Sequence, residues 1–390
     1  MLEKWKKAVD SGKVFGALLT DLSKAFDVLD HELLVAKLNA YGFSLPALRL
    51  VHNYLSNRKQ RTKVGNTYSS WSDILFGVPQ GSILGPLLFN IFLADLFFIV
   101  DDMNIASYAD DNTPYMAENN IDGIIESLEQ ASEKLFDWFK NNLFESNADK
   151  CHVLISTNDN VDVNVSGFNI TNSECEKLLG VKFDRNLNFD SHISDICKKA
   201  SNKISALARV TPFMSIDKKK LLMNAFFTSQ FNYCPLVWMC HSRKNNRKIN
   251  RLHERCLRII YNDKQSTFNE LLEKDGSVSI HIKNIQILAT EMFKMSKGLS
   301  PPIMENVFTL REENHYNLRQ NSQFSRPFVR SVFHGTESIS YLGPKIWDML
   351  PESYKNVNTL GAFKSKIKLW KPDNCPCRLC RVYIDNVGFL

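Results

Sequence analysis

No stretch of this chain is both long and apolar enough to span a membrane. The longest candidate, LLFNIFLADLFFIV at 87–100, is broken by Asn90 and Asp95 and reads as a buried helix. A secretory leader is equally hard to find, because MLEKWKKAVDSGKV alternates charge with short apolar pieces. Cysteines are not paired into a framework. Nine are scattered singly except for CPCRLC near the C-terminus, and an odd, dispersed set excludes a disulfide scaffold and fits a reducing compartment. The expected location is therefore intracellular, nuclear or cytoplasmic, with no membrane partner. Internal repeats and low-complexity tracts are also missing. Basic residues are scarce over 95–160, which hold 14 Asp/Glu and 3 Lys/Arg, while acidic ones are scarce over 198–264, with 15 Lys/Arg and 3 Asp/Glu. Such an asymmetry suggests a metal-binding centre near a polyanion-binding surface, although plain solvated faces give the same counts.

The 390 residues, 44% hydrophobic and 23% charged, have the balance of a globular protein with room for two or three domains. VFGALLTD at 14–21 reads as a buried strand ending in an acid. DHELLVAKLNAYGF follows as a helix, with Asp30 as N-cap and Gly42 as its stop, and SLPALRLVHNYLSNR as a second, with Pro46 in its first turn. QRTKVG and SDILFGVPQG look like short strands. Residues 82–100 are apolar all round, 121–143 form an amphipathic helix, and CHVLIST forms a strand. Three helical segments follow from about residue 188, and 265–390 are mixed. The fold class expected is α+β.

IASYADDNTPYM at 105–116 sets Asp110 beside Asp111 at the tip of a β-hairpin. Adjacent carboxylates repel and gain nothing from a core. Asp21 ends an apolar strand, and a strand end and a hairpin tip of one sheet can lie side by side. Three clustered acids suit a hard divalent ion that bridges carboxylates to substrate phosphates. Two such ions about 3.5–4 Å apart serve phosphoryl transfer. A solvated turn accounts for Asp110 and Asp111 taken alone. In PQG at 79–81, Pro79 stiffens the turn, Gly81 permits close backbone approach, and the Gln80 amide can donate and accept at once. Simple helix entry with Ser82 as N-cap fits the same residues.

Taken in order, TDLSKAFD at 20–27, GVPQGSILGPLLF at 77–89 and YADD at 108–111 carry a specific likeness. With them the chain resembles the reverse transcriptases of LINE-type non-LTR retrotransposons, in particular the jockey-like branch. The resemblance implies a right-hand polymerase palm over 1–187, an antiparallel sheet with helices on one face. A helical basic thumb over 188–264 and a mixed C-terminal region over 265–390 complete the expected chain. It implies RNA-directed DNA polymerase activity, with two Mg²⁺ ions, an RNA template, a DNA primer and a dNTP. Asp21, Asp110 and Asp111 match the metal-binding acids, with Asp110 and Asp21 expected to hold the metals closely and Asp111 more loosely. Phe26 matches the aromatic under the incoming sugar that leaves no room for a 2′-hydroxyl; it also suits a core. Gln80 and Gly81 match the loop that shapes the nascent base-pair pocket.

NADKCHVLIS resembles the family's next block and makes Lys150 a candidate proton donor to pyrophosphate, with Cys151 standing where the family usually has threonine. A surface lysine is the other reading. KLLGVKFDRNLNFDSHI resembles the primer-grip block, with Leu179 and Gly180 at its turn; an ordinary hairpin gives the same pattern. Arg247, Arg251, Arg255 and Arg258 recur at helical spacing in thumb position, with Ile249, Leu252, Cys256 and Ile259 on another face, and suit phosphate contacts. Only about twenty residues precede Asp21, where relatives carry fingers, and Lys4, Lys6, Lys7 and Lys13 do not replace them. The expected chain is thus truncated at its N-terminus, which opens a second reading: a catalytically inactive nucleic-acid-binding remnant, or a polymerase whose fingers come from a partner. Cys375, Cys377 and Cys380 form C-x-C-x₂-C, a candidate Zn²⁺ site whose fourth ligand is expected from His334 or a distant cysteine. His52, His152, His192 and His281 stand alone in sequence and are given no catalytic role.

Overall fold

The computed structural model describes all residues except 23, 101–102, 146–149, 312–321, 373–374, 378 and 381–390. Ser23 of the first block, residues 147–149 of the lysine block and the end of the C-terminal region thus lie outside the described residues. The chain forms two compact units, one of Met1 with Gly12–Glu176, the other of Leu2–Ser11 with Lys177–Leu390. In the second unit the Arg243–Tyr261 helix packs on the Ile280–Ser296 helix. Among the described residues no helix is long and apolar enough to cross a membrane.

The first unit is built on a four-stranded sheet. Its spatial order is Asn104–Tyr108, Asp111–Glu118, Val14–Leu19 and His152–Ile155, with every neighbouring pair antiparallel. Val14–Leu19 is central and its interior is fully buried, as its unbroken apolar run requires. The amphipathic Ile121–Asn141 helix covers one face. It sits so close that a Cβ on Gly16 would lie 2.7 Å from Ile124 Cγ1, so the glycine permits the contact. The His31–Ala40 helix starts where Asp30 accepts a hydrogen bond from the Leu33 N–H at 2.7 Å, and Gly42, at φ 85°, follows its end. The apolar run at 82–100 divides into two helices, Leu84–Leu93 and Leu96–Ile99. Asp95 stands at the break because it pairs with a buried lysine: its part-exposed carboxylate takes the Lys37 ammonium at 2.8 Å and the Trp138 indole N–H at 3.2 Å.

The second unit holds the Leu2–Asp10 helix, the Asp190–Val210 and Arg243–Tyr261 helices, which pack together, and an apolar core around Ile280–Ser296. The scattered lysines near the N-terminus hide the role of that first helix. Trp5 lies edge-on to Phe183, Lys6 donates to the Glu337 carbonyl at 2.9 Å, and Asp10 accepts from the Arg330 and Ser331 N–H groups at 2.9 and 2.6 Å. Glu3 accepts from the N–H groups of Ile339 and Ser340, at the start of the Ile339–Met349 helix.

Candidate active site and nucleic-acid interface

The central strand ends at Leu19, and Thr20 bridges to Asn112 through its backbone and its hydroxyl, which donates to the Asn112 carbonyl at 2.8 Å. The register that pairs Val14 with Glu118 and Thr20 with Asn112, carried one residue further, sets Asp21 opposite Asp111. Tyr108 pairs with Asp111, leaving Ala109 and Asp110 as a two-residue loop, with Ala109 in the left-handed region at φ 55°. A non-glycine residue there costs of order 1 kcal/mol. The Asn112 amide braces this tip by donating to the Asp110 carbonyl at 3.2 Å. Sequence reading missed Asn112; it sits among other polar residues of the Asp111–Glu118 strand, and its full burial shows only in the fold.

Burial, then the charges of Asp110 and Asp21, push the Asp111 carboxyl above its usual range. Asp111 therefore feels both other acids, and the register makes it the cross-strand neighbour of Asp21. They are not drawn into one tight ligand cluster; among the described residues the only such cluster lies in the second unit. Lys150 approaches Asp21, Nζ to Oδ2 at 3.6 Å, with both side chains about half exposed. Cys151, beside it, is buried, and burial pushes its thiol up while the Asp21 backbone N–H acts the other way. The donor set suits a hard cation: oxygen ligands only, on a water-facing sheet end, with a mutual repulsion that bound positive charge relieves.

Phe26 is half-buried and stacks on Phe89, with ring centroids 4.2 Å apart, so the core contact foreseen for it exists. The PQG loop is pinned to the turn that carries Phe26. Val78 N–H donates to the Phe26 carbonyl at 2.8 Å, Gly77 N–H to the Leu29 carbonyl at 2.7 Å, and Gln80 Nε2 to Asp27 Oδ1 at 2.8 Å. Within the protein the close contact is at Gly77, where a Cβ would lie 2.6 Å from the Asp27 carbonyl oxygen; Gly81, at φ 79°, faces open space. Helix entry holds as well, since Ser82 Oγ accepts from the Gly85 N–H at 2.9 Å.

In the second unit, Leu179 and Gly180 have φ of 46° and 84°, the two positive values of a tight two-residue hairpin turn. The Tyr233 hydroxyl donates to the Leu179 carbonyl, and its ring lies 3.3 Å from where a Cβ on Gly180 would be. On the Arg243–Tyr261 helix, Arg247, Arg251 and Arg255 are exposed at four-residue spacing. Arg258 departs from the expectation. It is half-buried, pairs with Glu254 at 2.7 Å and donates to the Ser266 carbonyl at 2.9 Å, so it ties the helix end to the following loop. The buried side is formed by Asn245, Ile249, His253, Cys256, Leu257 and Ile260, with Leu252 and Ile259 only part-covered.

The cysteine triad gains a fourth donor, and it is neither His334 nor a cysteine. His281 Nε2 lies 3.2 Å from Cys377 Sγ and 3.3 Å from Cys380 Sγ. His334 sits instead near Lys6, Asp10 and Asp184, where burial lowers its pKa.

The profile of the family "Reverse transcriptase (RNA-dependent DNA polymerase)" matches residues 4–183. The "Probable RNA-directed DNA polymerase from transposon BS" of Drosophila melanogaster is 26% identical over 269 residues, 65% of this chain and 30% of that protein. The "RNA-directed DNA polymerase from mobile element jockey" is 27% identical in Drosophila funebris over 65% of this chain and 29% of that protein. Its Drosophila melanogaster counterpart is 32% identical over 50% of this chain and 22% of that protein. The chain spans less than a third of the length of these relatives. Residues 4–183 are thus similar to a reverse transcriptase (RNA-dependent DNA polymerase) domain, and the chain resembles the polymerases of jockey and related mobile elements.

Proposed function

We propose that this chain catalyses RNA-templated DNA synthesis. The 3′-hydroxyl of a DNA primer attacks the α-phosphate of a deoxynucleoside triphosphate, a new phosphodiester bond forms, and pyrophosphate leaves. The observation that carries this reading is the common sheet end of Asp21, Asp110 and Asp111, where Asp111 feels both other charges. These three acids would hold two Mg²⁺ ions, which when bound favour the ionised 3′-hydroxyl and stabilise the leaving oxygen. Lys150, beside Asp21, is suited to deliver a proton to the departing pyrophosphate. Phe26, held by Phe89 and by the backbone of the loop that carries Gln80 and Gly81, offers an apolar ring with no partner for a 2′-hydroxyl and so favours deoxynucleotides. The Leu179–Gly180 turn suits a primer sugar-phosphate, and Arg247, Arg251 and Arg255 suit phosphates of either strand.

Primer extension on an RNA template with Mg²⁺ tests the reading. The wild type is expected to extend, and Asp110→Asn to lose on the order of 10²-fold or more in rate. Equal activity in the two would reject the role of Asp110. Salt-sensitive nucleic-acid binding by a wild type that never extends would instead favour an inactive binding remnant, the reading that the exposed arginine row also supports.

A further inference from the structure

The strongest unassigned feature lies in the second unit, away from any carboxylate chemistry. His281 projects from the first turn of the Ile280–Ser296 helix toward the C-x-C-x₂-C segment, and Cys375 Sγ, Cys377 Sγ, Cys380 Sγ and an imidazole nitrogen all lie within 4.8 Å of one another. We infer that His281, Cys375, Cys377 and Cys380 form a closed structural zinc site that clasps the C-terminal segment onto this helix.

The distances suit the metal. With Zn–S of about 2.3 Å and Zn–N of about 2.0–2.1 Å, a tetrahedral centre sets sulfur about 3.6 Å from nitrogen and about 3.8 Å from sulfur. The observed 3.2 and 3.3 Å from Nε2 to two of the sulfurs need only a few tenths of an ångström of adjustment. The donors are soft thiolates and an imidazole, the set that selects zinc over magnesium or calcium. Four protein ligands leave no open position, which marks a structural centre instead of a catalytic one. The surroundings agree: His281, Cys375 and Cys377 are buried, and the cysteines pack with Met239, Trp370 and Leu379 in one apolar core. His281 Nδ1 is buried without a hydrogen-bond partner, so the ring is held in place through Nε2 and packing alone.

A second contact on the same helix explains how the segment is delivered. Gln286, five residues beyond His281, donates to the Trp370 carbonyl at 2.8 Å, so the chain is already docked before it reaches Cys375. Zinc would then close a loop between elements 96 residues apart, and part of the stability of this unit would depend on metal. None of this requires the polymerase reading.

The test is metal content. Wild-type protein purified from zinc-replete cells is expected to carry one zinc per chain through dialysis, and to release it when a mercurial reagent titrates the thiols. His281→Ala and Cys377→Ser are expected to lose that zinc, His281→Cys to keep it, and Cys234→Ser, at an exposed cysteine, to leave it unchanged. Should the two loss variants fail to fold, Co²⁺ substitution in the wild type decides the matter, with tetrahedral d–d bands and strong thiolate-to-cobalt charge transfer expected. A folded wild type free of zinc and without those cobalt bands would overturn the inference. So would a disulfide among the three cysteines in the intact mass, or equal zinc in wild type, His281→Ala and Cys377→Ser.

Discussion

Asp95 shows how a single polar residue in an apolar run carries information. Its carboxylate holds Lys37, whose side chain is only 9% exposed and whose ammonium also faces the Phe92 ring at 4.2 Å and the Trp138 ring at 4.8 Å. Burial pulls the Lys37 pKa down and Asp95 acts against it. Removing the acid strands a buried cation. Asp95→Ala is therefore expected to cost about 2–3 kcal/mol of unfolding free energy, and the double change with Lys37→Met to recover most of it. Urea denaturation of the wild type and the two variants measures both. Asp21, Asp110 and Asp111 belong to the same scale but to the opposite case: acids without a buried basic partner, set where water and a cation can reach them.

At the scale of the element, the Arg243–Tyr261 helix sorts its arginines by what lies beside each one. Arg247, Arg251 and Arg255 project from one exposed row, whereas Arg258 is held by Glu254 and by the Ser266 carbonyl. Arg251→Ala is expected to lower the slope of log affinity against log salt for an RNA–DNA duplex by about 1. Arg258→Ala is expected to leave that slope unchanged and to cost roughly 1–2 kcal/mol of stability through the lost charged hydrogen bonds. Fluorescence anisotropy across a salt series and thermal unfolding separate the two. Helical spacing alone could not separate them, because it fixes only which residues share a face. Glu254 shares the helix with Arg258, but the Ser266 carbonyl that fixes its side chain comes from the loop beyond it.

The same limit runs through the whole molecule. Local signals were legible: the buried strand leading to Asp21, the Asp30 cap, Gly42 after its helix, the amphipathic cover over the sheet, and the hairpin tip. Their physics is contained in a few neighbouring residues. What stayed hidden depends on contacts between distant segments. Gly77 is a glycine because it meets the Asp27 backbone, a partner 50 residues away, while its neighbour Gly81 faces open space. His281 stood alone in sequence and joins three cysteines about a hundred residues on. The lysines of Leu2–Asp10 read as patternless because the helix is held through Trp5, Glu3, Lys6 and Asp10 by residues from 183 to 340. Across the molecule, acids gather at a sheet end in the first unit and thiols in an apolar core in the second. Oxygen donors of the first kind suit a hard cation, and the thiols of the second a soft one.

The central claim is that the acids of the first unit hold divalent metal for nucleotidyl transfer. Mn²⁺, a paramagnetic stand-in for Mg²⁺, reads this directly through loss of its free-ion electron paramagnetic resonance signal on titration with protein. Wild type is expected to bind Mn²⁺ in competition with Mg²⁺, and Asp21→Asn and Asp110→Asn to weaken that binding by roughly tenfold or more. Indistinguishable Mn²⁺ binding in the wild type and both variants would contradict the account.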